Sequence, residues 1–281
     1  MQPPFPCPTA TWRNDTYEAI SPLRSELSAA GKTVVVIGAG SGVGRETALA
    51  FATAGAAHIA LLGRTEDTLK ETAALIPSAG KASSSVHVAD LTKQNSLESA
   101  ATAIGKWDVL VLSSGYCPTR SPLASTEVDE WWKGFEVLSD PLSISGNIAA
   151  LLGVTTDVSL MPAVYLPGLS AYTASKLAQA KIFEFLAAEN PNIFIAAVNP
   201  GMIETDNFYR TGGTTDRLPM DTVQLPAHFL VWMASPEASF LRGRCTWANW
   251  DVEELKAKKA AIQEGLFMTA GFKGLPEGAH L

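Results

Sequence analysis

Tyr172 and Lys176 stand four residues apart in Ser170-Ala171-Tyr172-Thr173-Ala174-Ser175-Lys176. On a helix, positions i and i+4 share a face, so the two side chains can meet. A free tyrosine has a pKa of about 10 and is a poor acid or base at neutral pH. A neighbouring ammonium favours the phenolate and lowers that pKa toward the working range. The pair can then pass a proton to or from a substrate oxygen. Ser159 lies thirteen residues upstream, and Thr155 and Thr156 are nearby alternatives to its hydroxyl.

A second constellation precedes this one. Ile37-Gly38-Ala39-Gly40-Ser41-Gly42-Val43-Gly44-Arg45 follows a short apolar run and opens an amphipathic stretch. Glycines allow a tight turn and close backbone approach to a pyrophosphate, whose charge suits a helix N-terminus. The G-x-G-x-x-G form fails at Val43; the pattern is G-x-x-x-G-x-G at Gly38, Gly42 and Gly44. The next apolar run ends in Leu61-Leu62-Gly63-Arg64, with no acid at 62 or 63. An Arg there suits a 2′-phosphate, so NADP is favoured over NAD. A solvated loop charge is the plainer reading of Arg64.

These residues need a scaffold. Apolar runs at 33–37, 58–62, 85–88, 109–112, 151–155 and 194–198 read as strands, mostly continuous rather than alternating. Continuous runs suit parallel strands covered on both faces. Helical patterns fall at 43–55, 66–76, 94–104, 126–137, 171–189, 222–234 and 252–264, with a short helix near 22–29. The alternation predicts an α/β fold, a doubly wound and mostly parallel sheet in three layers, forming a single domain. We expect an arm over 1–30, a nucleotide-binding domain over 31–250, and a C-terminal helix and tail over 251–281.

Composition narrows the function. The formal net charge is −7 and there is no Lys/Arg run, which argues against nucleic acid or an anionic membrane as partner. Cys7, Cys117 and Cys245 are few and far apart, which predicts neither a disulfide framework nor a metal site. The first residues lack a basic region followed by an apolar run, and no stretch approaches the ~20 apolar residues of a membrane span. A cytoplasmic protein is expected.

The ordered set Gly38-x3-Gly42-x-Gly44, Asp90-Leu91, Tyr172-x3-Lys176 and Asn199-Pro200-Gly201 resembles the short-chain dehydrogenase/reductase family over about residues 31–250. The resemblance implies a Rossmann-type fold and hydride transfer between NADP(H) and a carbonyl or secondary alcohol of a small molecule. It implies that Ser159 binds the substrate oxygen, Tyr172 donates the proton, and Lys176 lowers the tyrosine pKa and bonds the nicotinamide ribose. Gly38, Ser41, Gly42, Val43 and Gly44 would cradle the pyrophosphate. Arg64 would take the 2′-phosphate and Asp90 and Leu91 the adenine. Ser113 and Gly115 would lie along the cofactor, and Pro200, Gly201, Ile203 and Thr205 would line its nicotinamide end. An N-cap or turn role fits Asp90 equally well. The tenor of the sequence is similar to uncharacterised fungal reductases, and the family implies a homodimer or homotetramer.

The chain departs from that pattern in two places. Leu112-Ser113-Ser114-Gly115 replaces a turn that carries amide side chains in the family. Leu138 stands where the family's Asn joins a proton relay, and leucine cannot hold a water. Only 21 residues separate Leu138 from Ser159, and Pro141 interrupts the helical pattern. The helix between the fourth and fifth strands therefore reads as truncated. Three readings stay open: an active reductase, a cofactor-binding protein with weak or no turnover that acts as sensor or scaffold, and a spliced or mis-assembled segment over 138–148.

Overall fold

A computed structural model describes residues 7–139, 149–216 and 219–271. Seven strands form one parallel sheet in the order β3-β2-β1-β4-β5-β6-β7. They are β1 Thr33–Ile37, β2 His58–Gly63, β3 Ser83–Val88, β4 Val109–Leu112, β5 Ala150–Val154, β6 Phe194–Asn199 and β7 Cys245–Trp247. Parallel pairing needs crossovers, and helices supply them: α1 Gly42–Thr53, α2 Glu66–Ala79, α3 Gln94–Ile104, α4 Val128–Ser139, α5 Ser170–Glu189, α6 Asp206–Arg210 and α7 Gln224–Met233; α8 Val252–Ala257 and α9 Lys259–Glu264 follow the last strand.

Alternation along each strand divides the core. Val34, Val36, Ile59, Leu61, Val109 and Val111 point to one face, where Phe51, Ile76, Phe229 and Trp232 of α1, α2 and α7 cover them. Val35, Ile37, Ala60, Leu62, Leu110 and Leu112 point to the other, beneath Leu97 of α3, Val137 of α4 and Phe183 of α5. Each large side chain so buried stabilises the fold by about 1.5–3 kcal/mol. Gly153 of β5 is needed for this packing, since a Cβ there would lie 2.4 Å from the Phe183 ring.

The fold class is as the sequence predicts; several boundaries are not. β7 is absent from the six predicted strands because three residues carry too little pattern. The predicted helix at 252–264 divides at Lys258 into α8 and α9. The short helix near 22–29 is instead a pair of 3₁₀ turns, Glu18–Ile20 and Ser25–Leu27. α4 reaches Ser139; of the segment 138–148 expected to be truncated, residues 140–148 lie outside the described residues. From residue 7 onward, the expected arm is fastened to the body. Ile20 and Leu27 are buried, Trp12 bridges Trp250, and Arg13 pairs with Asp251 at 2.6 Å. No helix among the described residues is long and apolar enough to cross a membrane.

The strand order reverses between β1 and β4, and crevices form at such a point beyond the carboxyl ends of the strands. A large cleft lies there.

Candidate active site

The cleft encloses about 1480 Å³, and Gly38, Ser41, Gly42, Val43, Arg64, Leu91, Ser113, Gly115, Tyr172, Lys176, Pro200, Gly201, Ile203 and Thr205 all line it. At one end, the β1–α1 turn is built so that its backbone forms the surface. Gly38 has φ +85°, and a Cβ there would stand 2.8 Å from Ser114 N. Ser41 precedes α1 without making a side-chain cap, which leaves the first-turn N–H groups to a ligand. Arg45 braces the turn from behind, donating to Gly40 O at 2.6 Å and Glu71 Oε2 at 2.9 Å. Gly44 has another role. It is not on the cleft wall, and a Cβ there would fall 2.1 Å from Gly38 O, so it permits the helix to pack on its own turn.

This cradle fits the pyrophosphate of a nicotinamide dinucleotide: bare backbone, a helix N-terminus and no acidic side chain in the turn. Arg64 is exposed at the lip. Leu91 lines the wall, whereas the Asp90 carboxylate is turned away from it and accepts from Thr92 N at 3.1 Å and Thr92 Oγ1 at 2.8 Å. Those bonds, with Lys93 and Arg64 adding attraction, hold the Asp90 carboxyl below its ordinary range. Asp90 thus makes the bonds of a turn residue. Thr205 also has a structural bond, its hydroxyl accepting from Phe208 N at 3.2 Å to cap α6.

The other end is formed by α5 and the loop after β5. Tyr172 and Lys176 are 7% and 4% exposed. The Lys176 ammonium donates to Val154 O at 2.8 Å, to Gln179 Oε1 at 3.2 Å and to Ser114 O at 3.5 Å. Burial lowers its pKa to about 7. The expected coupling to Tyr172 is not what the structure shows. The tyrosine pKa is raised: burial is the largest cause, the Cys117 thiol adds to it, a Thr156 hydrogen bond opposes it, and Lys176 is not among the groups acting on it. Sequence spacing predicts an effect of the neighbouring charge, and burial sets the direction of the shift instead.

Ser159 does not face Tyr172. It sits in the 3₁₀ turn Asp157–Leu160, donates to Thr156 O at 2.7 Å and lines a separate apolar pocket with Leu177, Cys245 and Trp247. The hydroxyl that acts on Tyr172 is that of Thr156, which lines the cleft. The turn after β5 explains the difference, because it rotates Ser159 away while Thr156 stays at the strand end. Asp157, beside Thr156, and the buried Cys117, packed on Tyr172 and Leu169, are further cleft residues that the motifs do not mark. Burial pushes the Cys117 thiol up to about 11, so it remains protonated at neutral pH. Their signal in the sequence is position alone: each follows a strand end.

Comparison with known proteins agrees with this geometry. The short chain dehydrogenase family model matches residues 32–214. A short chain dehydrogenase/reductase of Claviceps purpurea is 35% identical over 95% of this chain and 94% of its own. The short chain dehydrogenase mpl6 of Monascus purpureus is 33% identical over 91% of this chain and 94% of its own. Among solved structures, a putative NAD(P) dependent gluconate 5-dehydrogenase of Beutenbergia cavernae, with bound NADP at low occupancy, has a TM-score of 0.68 at 30% identity. That match covers 82% of this chain and 99% of the other.

Proposed function

The chain belongs to the short-chain dehydrogenase/reductase family, an oxidoreductase family, and from that premise we propose that it reduces a carbonyl of a small organic molecule with NADPH, or runs the reverse oxidation. One observation carries this reading. Tyr172, Thr156 and Lys176 meet at one end of a cleft whose other end is the glycine turn. NADPH, when bound, supplies hydride to the carbonyl carbon.

The protein's own residues supply the rest. The β1–α1 backbone holds the pyrophosphate, and Arg64 takes the 2′-phosphate. Lys176 bonds the nicotinamide ribose, its ammonium already aimed along the cleft floor by Val154 O and Gln179. Tyr172 protonates the oxygen that gains charge, and Thr156, whose hydroxyl lines the same cleft, orients that oxygen. A tyrosine raised by burial stays protonated at neutral pH and is a weaker acid, so it gives up its proton to a strong base such as the developing alkoxide. Leu166, Leu169, Phe208 and Trp250 make the substrate end largely apolar, which suits a ring-bearing substrate.

A binding protein without turnover is the rival reading. It draws on the same raised tyrosine, whose shift Lys176 does not counter. Thermal shift with NADP and NAD, on the wild type and on Arg64→Ala, tests the cofactor assignment. NADP stabilises the wild type more, and the variant loses that preference. Equal shifts for both nucleotides on the wild type contradict the assignment. Half-exposed Trp132 and Phe185, with exposed Val128, give α4 and α5 a face suited to pairing with a second copy. Three free cysteines suit the cytoplasm.

A further inference from the structure

We propose that Asn14 and Asp221 are positioning residues for the nicotinamide end of the cleft, so that the segment around Asn14 is part of the cofactor site. This role rests on the reductase reading above, in which the Pro200-Gly201 turn lies at that end. The turn follows β6, and Pro200, Gly201 and Met202 line the cleft. Neither Asn14 nor Asp221 lines it, so both act through the turn. Both also lie outside the family match of 32–214.

Asp221 grips the turn from behind. Its Oδ2 accepts from Met202 N at 2.7 Å, and its own N–H donates to Met202 O at 2.9 Å. Gly201 has φ +84°, and a Cβ there would stand 2.4 Å from the same Oδ2. The carboxylate therefore fits only against a glycine. Asn199 adds a bond from the strand end, its Oδ1 accepting from Gly201 N at 3.1 Å.

Asn14 fixes the carboxylate. Its Nδ2 donates to Asp221 Oδ1 at 2.6 Å, and its carbonyl accepts from Thr222 N at 2.9 Å. The segment is held in turn by its neighbours. Arg13 N donates to Asn249 O and Asn249 Nδ2 donates to Arg13 O, both at 2.8 Å. Trp12 bridges Trp250, which also lines the cleft. The two oxygens of Asp221 are thus divided, one to the segment and one to the turn, and the carboxylate is the joint between them. Disturbing it leaves the Met202 N–H short of its partner. A nicotinamide lying on this turn must meet the substrate carbon at hydride-transfer distance, and a displacement of about 1 Å costs up to ~10²-fold in rate.

The test compares NADPH with 2′-phospho-ADP-ribose, which has the same adenosine and pyrophosphate but no nicotinamide. Calorimetry gives both Kd values for the wild type, for Asn14→Asp, and for Asn14→Asp combined with Asp221→Asn. Asn14→Asp sets two carboxylates against each other and weakens NADPH about tenfold. The fragment, bound away from the joint, stays within about twofold. The double substitution exchanges amide and carboxylate, restores one donor and one acceptor between them, and recovers the wild-type NADPH affinity. Asn14→Ala, which removes the donor without adding charge, moves NADPH the same way by about threefold. Hydrogen exchange of the unliganded proteins reads the joint directly: the Met202 amide exchanges about tenfold faster in Asn14→Asp and returns to the wild-type rate in the double variant, while β6 amides stay unchanged. Equal losses for the two ligands, no rescue, or a Met202 amide at the wild-type rate in both single variants overturns the positioning role and leaves the reductase reading standing. A wild type that binds neither ligand overturns both.

Discussion

The Lys176 ammonium donates to Gln179 Oε1 at 3.2 Å, one turn further along α5, and both side chains are sealed from solvent. A buried ammonium is costly unless its hydrogens are used. Here Val154 O and the Gln179 amide oxygen take two of them. The Gln179 amide nitrogen is buried and has no partner of its own. Gln179 thus places an amide behind the lysine from α5 itself, whatever the side chain at Leu138 does.

This pair makes stability depend on pH in a defined direction. The Lys176 pKa falls from 10.5 to about 7 on burial. Between those values the unfolded chain holds a proton that the folded chain has released, so stability rises with pH across that window. It is lost again as pH falls toward 7. The gain is roughly 4 kcal/mol as an order of magnitude. Denaturant unfolding at pH 6.5 and pH 10 shows it as the difference between wild type and Lys176→Met. A carboxylate in place of the amide raises the lysine pKa, so Gln179→Glu shrinks the gain by about 1 kcal/mol or more. An identical pH dependence in wild type and Lys176→Met contradicts the assignment.

Thr156 and Ser159 separate cleanly by mutation. Thr156→Val keeps the shape and removes the cleft-lining hydroxyl that acts on Tyr172, and turnover falls about 10²-fold. Ser159→Ala stays within about twofold, since its hydroxyl is spent on Thr156 O. Steady-state rates with NADPH and one accepted carbonyl decide it. A larger loss in Ser159→Ala than in Thr156→Val reverses the assignment.

Much of this site was legible in the sequence. The tyrosine and lysine follow from helical spacing, and the glycine turn from its position between strand and helix. What spacing cannot carry is rotation. Thirteen residues place Ser159 near Tyr172 in number, but one 3₁₀ turn sends it to the opposite side of the loop. Nor does spacing carry burial, which reverses the expected shift of Tyr172. Asp90 shows the same limit, because spacing does not record its bond with Thr92 two residues on. The fold was more readable because continuous apolar runs record sheet burial directly; β7, three residues long, was too short to do so.

The glycines of the turn differ in what they tolerate. Gly44→Ala drives a Cβ to 2.1 Å from the Gly38 carbonyl oxygen, a backbone atom that cannot step aside. We expect a loss of about 3 kcal/mol or more in stability, seen in the protein alone. Gly40→Ala meets the Thr68 hydroxyl instead, a side chain that can rotate. It weakens NADP binding more than it weakens folding. Denaturant unfolding beside nucleotide titration distinguishes the two. A Gly44→Ala protein as stable as wild type removes the packing role assigned here.

The most direct test of the account is Tyr172→Phe. Nicotinamide absorbance follows NADPH consumption across a panel of ring-bearing ketones and aldehydes, and thermal shift checks that NADPH still binds. The wild type reduces at least one compound, and Tyr172→Phe binds NADPH as before but turns over about 10²-fold or more slowly. A wild type that binds NADPH without reducing any carbonyl, or a variant as fast as the wild type, contradicts the claim that Tyr172 is the proton donor of a carbonyl reductase.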